Sequence, residues 1–280
     1  TVAVQGAPGS SVRLPAVFAA WFNSSESVAP VEALYPDTDD AEGTRLMNTV
    51  QMSTSQQEAV AVALREQGIT YTKNVGVSGV RTDGPAHGIV EAGDIVLSVN
   101  GKTATSVEEY VAIAGATPPG SDVTMKVKRK GKERTLSVPT KQEGGRSVMG
   151  IVLSEGFEFP VKVNLAVEGI GGPSAGLMFS LGIYDDMTPG DLTGGKKIAG
   201  TGTITEAGEV GPIGGIRQKL VGAKSDGAAF FLAPKDNCSE VAGHVPDGLN
   251  VVAVSTFDDA KDAVEHIASK GSTTGLPTCG

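Results

Sequence analysis

Two short strings in this chain hold residue types that could break a covalent bond. GGPSAG, residues 171–176, sets Ser174 among residues with little or no side chain, so a substrate carbonyl could approach its hydroxyl unhindered. A serine hydroxyl is a weak nucleophile until a base takes its proton. GPIGGIRQK, residues 211–219, offers that base. At about 100° per residue, a helix starting near Ile216 puts Ile216, Leu220 and Ala223 on one face, with Lys219 on its flank. An amine pressed towards an apolar interior loses hydration and its pKa falls, which is what a lysine needs to act as a base. The plainer alternative stretches Lys219 along the helix side to water. The serine alone is equally open, because 38 glycines make GxSxG-like strings frequent by chance.

Other strings point to other chemistry and carry less. GPSAG also fits the nucleophile elbow of an α/β-hydrolase, with His244 and His266 downstream, but an elbow comes straight off a strand and here Glu168-Gly-Ile-Gly-Gly intervenes. GDLTGGKK, residues 190–197, has the glycine and lysine spacing of a phosphate-binding loop, yet Lys197 stands where a Ser or Thr would hold Mg²⁺, so it reads as a tight turn. Three scattered histidines and two distant cysteines indicate no metal site. Asn23-Ser-Ser and Asn237-Cys-Ser match the glycosylation pattern, a frequent chance match. With 40% hydrophobic and 20% charged residues the composition is that of a soluble globular protein. The net charge of −9 argues against a nucleic-acid-binding surface. The longest apolar run, Leu14 to Phe22, is too short to span a bilayer. The chain begins TVAV without an initiator Met, as a processed or truncated ectodomain would.

The elements that must position the two strings follow from periodicity and punctuation. TVAVQG alternates as a half-buried strand, and Pro15 suits the first turn of a helix PAVFAAWF. An acidic, proline-punctuated connection of irregular structure follows, from Asn23 to Leu46. Ser55 and Glu58 have capping-box spacing and open a helix running to about Gln67, stopped by Gly68. VGVSGV reads as a strand, and GDIVLSVNGKTA as a strand ending at an Asn100-Gly101 turn. A helix covers Ser106 to Ala114, and two strands meet at Lys130-Gly131. Val161 to Val167 alternates like a strand leading into the glycine loop, and a helix runs from Ser174 to Ile183. Further strands fall at Lys196 to Ile204, Phe230 to Leu232 and Val251 to Val254. A closing helix spans Ser255 to Ser269, with Thr256 and Asp259 at capping-box spacing.

GGPSAGLMFSLGI, AGTGTITEAGEVGPIGGIRQKLVGAKSDG and FFLAPKDN together resemble the proteolytic domain of Lon-type proteases. The resemblance implies a Ser–Lys dyad: Ser174 as nucleophile, Lys219 as base, Thr201 of the TGxIT string orienting the lysine, and backbone N–H groups of Gly171, Gly172 and Ser174 holding the oxyanion. Many members carry Asp where this chain has Gly171. MSTSQQEAVAVALREQGI is similar to the long helix ahead of the serine in the same domain. GPAHGIVEAGDIVLSVNGK and PPGSDVTMKVKRKGK resemble a bacterial PDZ domain, a module that adds an extended peptide to a sheet edge. Its carboxylate-binding loop is expected near Lys73 to Gly76, and a mere spacer role is the alternative.

The expected fold is therefore an α/β (α+β) Lon proteolytic domain with an inserted β-rich PDZ domain. Residues 1–70 form the N-terminal part of the protease domain, 71–140 the PDZ domain, 141–270 the catalytic part and 271–280 a flexible or disulfide-tethered tail. The whole resembles the YlbL-type PDZ-containing Lon-like proteases. That implies an ATP-independent serine endopeptidase acting on extended or unfolded polypeptides, with the PDZ module presenting substrate or regulating access, and with no cofactor. It also implies a homo-oligomer (a hexamer), C-terminal tails of polypeptides at the PDZ groove, and no nucleic-acid partner. An N-terminal membrane helix absent from this chain would place it in the bacterial cell envelope, on the extracytoplasmic face of the plasma membrane. In such a compartment Cys238 and Cys279 favour pairing, two free thiols being the alternative. The competing class is a non-catalytic PDZ adaptor on a protease-like scaffold, which the joint presence of Ser174, Thr201 and Lys219 disfavours.

Overall fold

In the computed structural model, which describes residues 2–6, 11–23, 25–31, 41–166 and 171–279, helix α1 (Leu14–Trp21) takes Pro15 in its first turn. Val2 to Gln5 form no strand; Thr1 lies outside the described residues. Helix α2 (Ala41–Glu66) begins well before the expected cap. Ser55 is buried in its interior, because the apolar face continues upstream through Val50 and Met52 and the capping-box signal is overridden. Of the connection expected to be irregular, residues 41–46 are helical and 32–40 lie outside the described residues. The chain divides into two compact units. One comprises Thr1–Arg45, Glu58–Ile69 and Val163–Gly280, the other Leu46–Gln57 and Thr70–Lys162.

The second unit is a five-stranded antiparallel sheet. Its strands are β1 (Thr72–Val80), β2 (Ile95–Val99), β3 (Asp122–Arg129), β4 (Lys132–Pro139) and β7 (Ile151–Glu158), with helix α3 (Val107–Gly115) between β2 and β3. The short hairpin β5 (Lys141–Glu143) and β6 (Arg146–Val148) precedes β7. The sheet order is β4-β3-β2-β1-β7. Asn100 and Gly101 take positive φ values of 50° and 74° in a turn closed by a Val99–Lys102 bridge. Lys130 and Gly131, at 51° and 79°, join β3 to β4 in the hairpin such residues favour. Ser106 caps α3 by accepting from Glu109 N–H. Asp94, fully buried, receives two hydrogen bonds from Arg129 at 2.6 Å each, so the buried charge is paired. Because β7 runs antiparallel to β1 from Thr72↔Glu158 to Val80↔Ile151, this unit extends past the boundary expected at residue 140.

The first unit carries helix α4 (Gly176–Met187) and the strands β8 (Ile198–Gly200), β9 (Thr203–Ile204) and β10 (Val210–Gly211), then helix α5 (Ile216–Ser225) and β11 (Phe230–Pro234). After a 3₁₀ turn at Lys235–Asn237 come α6 (Cys238–Val241), β12 (Asn250–Val254) and α7 (Phe257–Lys270). The three-stranded sheet β12-β11-β8 is parallel, and its central strand β11 is buried along its whole length, as an apolar run FFLAP requires. One cluster packs Ile216 and Leu220 of α5 against Phe231, Ala233, Val251 and Cys279. Thr256 and Asp259 form the reciprocal capping box of α7. Cys238 and Cys279 are disulfide-bonded, and Pro277 accepts from Ala253 N–H, so the tail lies against β12. The strand expected at Val161 to Val167 is not formed by residues 161–166, and Val167 lies outside the described residues.

Candidate active site

The single strand expected from Lys196 to Ile204 is broken between β8 and β9, and Thr201 occupies the break. This break builds half of the site. Thr201 N–H donates to Leu232 O of β11 at 3.1 Å, while Gly202 N–H donates to Ser174 O at 3.0 Å and Leu177 N–H returns a bond to Gly202 O at 3.1 Å. The serine loop is thereby strapped to the parallel sheet. Ser174 itself stands two residues ahead of the first helical residue of α4, where backbone N–H groups lack intrahelical partners. Among the described residues, nothing accepts from the N–H of Gly171, Gly172 or Ser174.

Helix α5 supplies the other half. Gly215 precedes it with φ 69°, a left-handed conformation that favours glycine. Ile216 and Leu220 are fully buried, which fixes the helix rotation and carries Lys219 inwards rather than along the surface. Lys219 Nζ stands 2.8 Å from Ser174 Oγ and 3.0 Å from Thr201 Oγ1. The Thr201 hydroxyl donates to Ser174 O at 2.9 Å, so its oxygen lone pairs face the amine and its proton is spent on the serine loop. Burial pushes the Lys219 amine down from its ordinary 10.5 to about 8. At pH 8 about half of such amines are neutral, against well under 1% for an unperturbed lysine.

The other sequence candidates fall elsewhere. Among the described residues no histidine hydrogen-bonds Ser174; His244 contacts its neighbour Ala242 O. Asp191 closes GDLTGGKK by accepting from Thr193 N–H and Gly195 N–H, so the string is a turn. Among the described residues no group of His, Cys, Asp and Glu could hold a metal ion, and no helix is long and apolar enough to cross a membrane. Asn237, noted above only as a glycosylation match, is buried, with its amide bonded to Ile213 and Glu240. The sequence held no signal for that contact beyond the residue's place in FFLAPKDN.

In the sheet unit, Lys73 to Gly76 lie inside β1 and pair with β7, so no carboxylate-binding loop forms there. β4 and β7 are the two edge strands of this sheet, and β7 is the one beside α3. Val77 exchanges its backbone bonds with Gly93 and Asp94, on the β2 side, which turns the opposing Leu153 outwards. With Gly150 O accepting from Arg81, alternation also turns Ile151 and Glu155 outwards. Phe157 N–H, next in that row, donates to Gln57. Helix α3 lies against β6 and β7, Val107 joining the cluster of Ile151 and Leu153 while Val111 is exposed. The turn into β7 is held by Ala86 N–H to Met149 O and requires glycine at 150, where φ is 76° and a Cβ would meet Gly84 Cα at 2.8 Å.

Two parts of the chain match known domain families. Residues 49–140 match the PDZ domain, and residues 164–266 match the Lon protease (S16) C-terminal proteolytic domain. The two matches together support a PDZ-containing Lon-like protease. Its relatives include the Lon protease of Azospirillum brasilense, 41% identical over 91 residues, covering 31% of this chain and 11% of that protein. The Lon protease of Azorhizobium caulinodans is 32% identical over 183 residues, 62% of this chain and 21% of that protein. The chain thus spans about a fifth or less of the length of these two relatives. Among solved structures, the PDZ domain of an SdrC-like protein from Listeria innocua aligns with 28% identity and a TM-score of 0.27, over 29% of this chain and 92% of that one.

Proposed function

We propose that this chain is a serine peptidase in which Lys219 serves Ser174 as general base. The observation that carries the reading is the 2.8 Å approach of a half-buried, pKa-lowered amine to a serine hydroxyl at a helix start. Neutral Lys219 takes the Ser174 proton as Oγ attacks a peptide carbonyl. The oxyanion that develops is met by the N–H groups of Gly171, Gly172 and Ser174, which have no acceptor among the described residues. Lys219 then returns the proton to the leaving amine, and an acyl-enzyme remains on Oγ. Water, deprotonated in turn by Lys219, hydrolyses it. Thr201 holds the amine towards Oγ throughout. Gly171 stands where many members of the resembling family carry Asp, so residue 171 itself offers Lys219 no carboxylate. Hydrolysis needs no nucleotide in this reading, so substrates arrive already extended. Membrane attachment, an extracytoplasmic location and a homo-oligomer belong to the same proposal by resemblance alone.

The sheet unit is assigned peptide capture, on the strength of the open β7 edge beside apolar α3. An extended chain would pair with Ile151, Leu153 and Glu155, its terminal carboxylate towards the turn at Met149 and Gly150. A serine-directed acylating probe tests the catalytic proposal. It is expected to label the wild-type protein without ATP and to leave Ser174→Ala unlabelled. Equal labelling of both, or of neither, returns the chain to the non-catalytic adaptor class.

A further inference from the structure

Helix α5 is fixed by its buried face, but the base also depends on where the helix begins. Of the five residues before it, GPIGG, Gly211 pairs with Thr203 and Ile213 packs against the core cluster of α5, and the stretch ends in the left-handed Gly215. A buried side chain, Asn237, holds its backbone as well. Asn237 is 2% exposed; its Oδ1 accepts from Ile213 N–H at 2.9 Å and its Nδ2 donates to Ile213 O at 2.9 Å. A side-chain amide thus grips both backbone groups of one loop residue as a neighbouring strand would. Its second amide proton goes to Glu240 Oε1 at 2.9 Å. The same segment reaches the first turn of α5 again, where Arg217 Nε donates to Glu240 O at 3.2 Å. Behind it, Asn237 ends the 3₁₀ turn that follows the buried strand β11 and precedes the disulfide-bonded Cys238. Buried amides are costly unless fully bonded, and every donor of this one is used on the loop or on the brace.

We infer that Asn237 is a positioning residue for the proposed Ser–Lys reaction, setting the start of α5 so that Lys219 Nζ meets Ser174 Oγ. The inference rests on the peptidase reading above. Asn237 touches neither substrate nor the reacting atoms; it acts through Ile213, Gly215 and the first turn of the helix, where Lys219 N–H bonds Gly215 O at 3.1 Å. A misplacement of about 1 Å at the reacting atoms can cost on the order of 100-fold in rate.

The test compares Asn237→Ala and Asn237→Asp with wild type and Ser174→Ala, using an extended fluorogenic peptide and a full pH–rate profile. Asp keeps the shape and still accepts from Ile213 N–H, but it sets an oxygen against Ile213 O and Glu240 Oε1. Both variants are expected to lose about 100-fold in kcat, with KM within about twofold. The pH limb should also move upwards as the loosened amine regains water. Folded variants that keep wild-type kcat and the same limb overturn the inference. So does a lower melting temperature with kcat and limb unchanged, or failure of both variants to fold, since Asn237 would then be structural only. Failure of the dyad reading looks different: wild type and Ser174→Ala would then turn over alike.

Discussion

Replacing Lys219 with Met keeps most of the side-chain volume and removes the one titrating group at the centre of the site. The pKa of the lysine falls from 10.5 to about 8, with burial the cause. Taken at face value, a fall of that size costs the folded state about 3.4 kcal/mol wherever the unfolded lysine is charged. Lys219 is only partly shielded from solvent, and screening reduces the figure to about 1–2 kcal/mol. The sign is definite. Between pH 8 and 10.5 the unfolded wild type binds a proton that the folded state does not, so wild-type stability rises with pH across that window. Lys219→Met has no such rise. Relative to wild type, the Met variant is therefore most stabilised below pH 8, and the advantage shrinks as pH climbs towards 10.5. The lost hydrogen bonds to Ser174 and Thr201, about 1 kcal/mol, offset part of this gain and leave its pH dependence in place. At about 2–4 °C per kcal/mol, the melting-temperature difference between the two proteins should change by about 2–6 °C between pH 6.5 and 10. Peptidase activity should vanish in the variant, while wild-type kcat/KM climbs about tenfold per pH unit below pH 8 and levels above it. Scanning calorimetry across pH, beside the peptide assay, measures both. A Met variant that keeps its activity refutes the base assignment. One that is inactive but uniformly less stable from pH 6.5 to 10 means the lysine is charged and structurally paired.

Two further outcomes follow from other parts of the molecule. The Cys238–Cys279 disulfide closes a separation of 41 residues, which corresponds to about 4 kcal/mol of loop entropy, so reduction should lower the melting temperature markedly. A reduced protein that melts with the oxidised one would show that the tail adds nothing. For the sheet unit, a fluorescent peptide ending in an apolar residue with a free carboxylate should bind at least about tenfold more tightly than its amidated form. Glu155→Pro, which deletes an outward N–H from an exposed position, should abolish that binding without unfolding the sheet; unchanged affinity would move the groove elsewhere.

Local signals were legible wherever the physics is local. The turns at Asn100-Gly101 and Lys130-Gly131 depend on which residues tolerate positive φ, and the capping box of α7 on a four-residue spacing. Both kinds of signal are complete within a few residues. Ser55 shows the limit, because its equally good capping-box spacing lost to a buried helical face that only tertiary packing reveals. The chemistry of the site was likewise legible as residue types. Ser174 and Lys219 stood out as a nucleophile and a base on a half-apolar helix, while Thr201 was singled out only through the resemblance to Lon-type proteases. Their meeting within 3.0 Å was not. It depends on Thr201 breaking a strand beside β11 and on the burial of Ile216 and Leu220. The pairing of β7 with β1, across some seventy residues of chain, and the grip of Asn237 on Ile213 are contacts of the same kind. Sequence periodicity states which face of an element is apolar. Only the folded chain decides which distant backbone groups that face brings within hydrogen-bonding reach, because the choice among partners is set by the packing of the whole core.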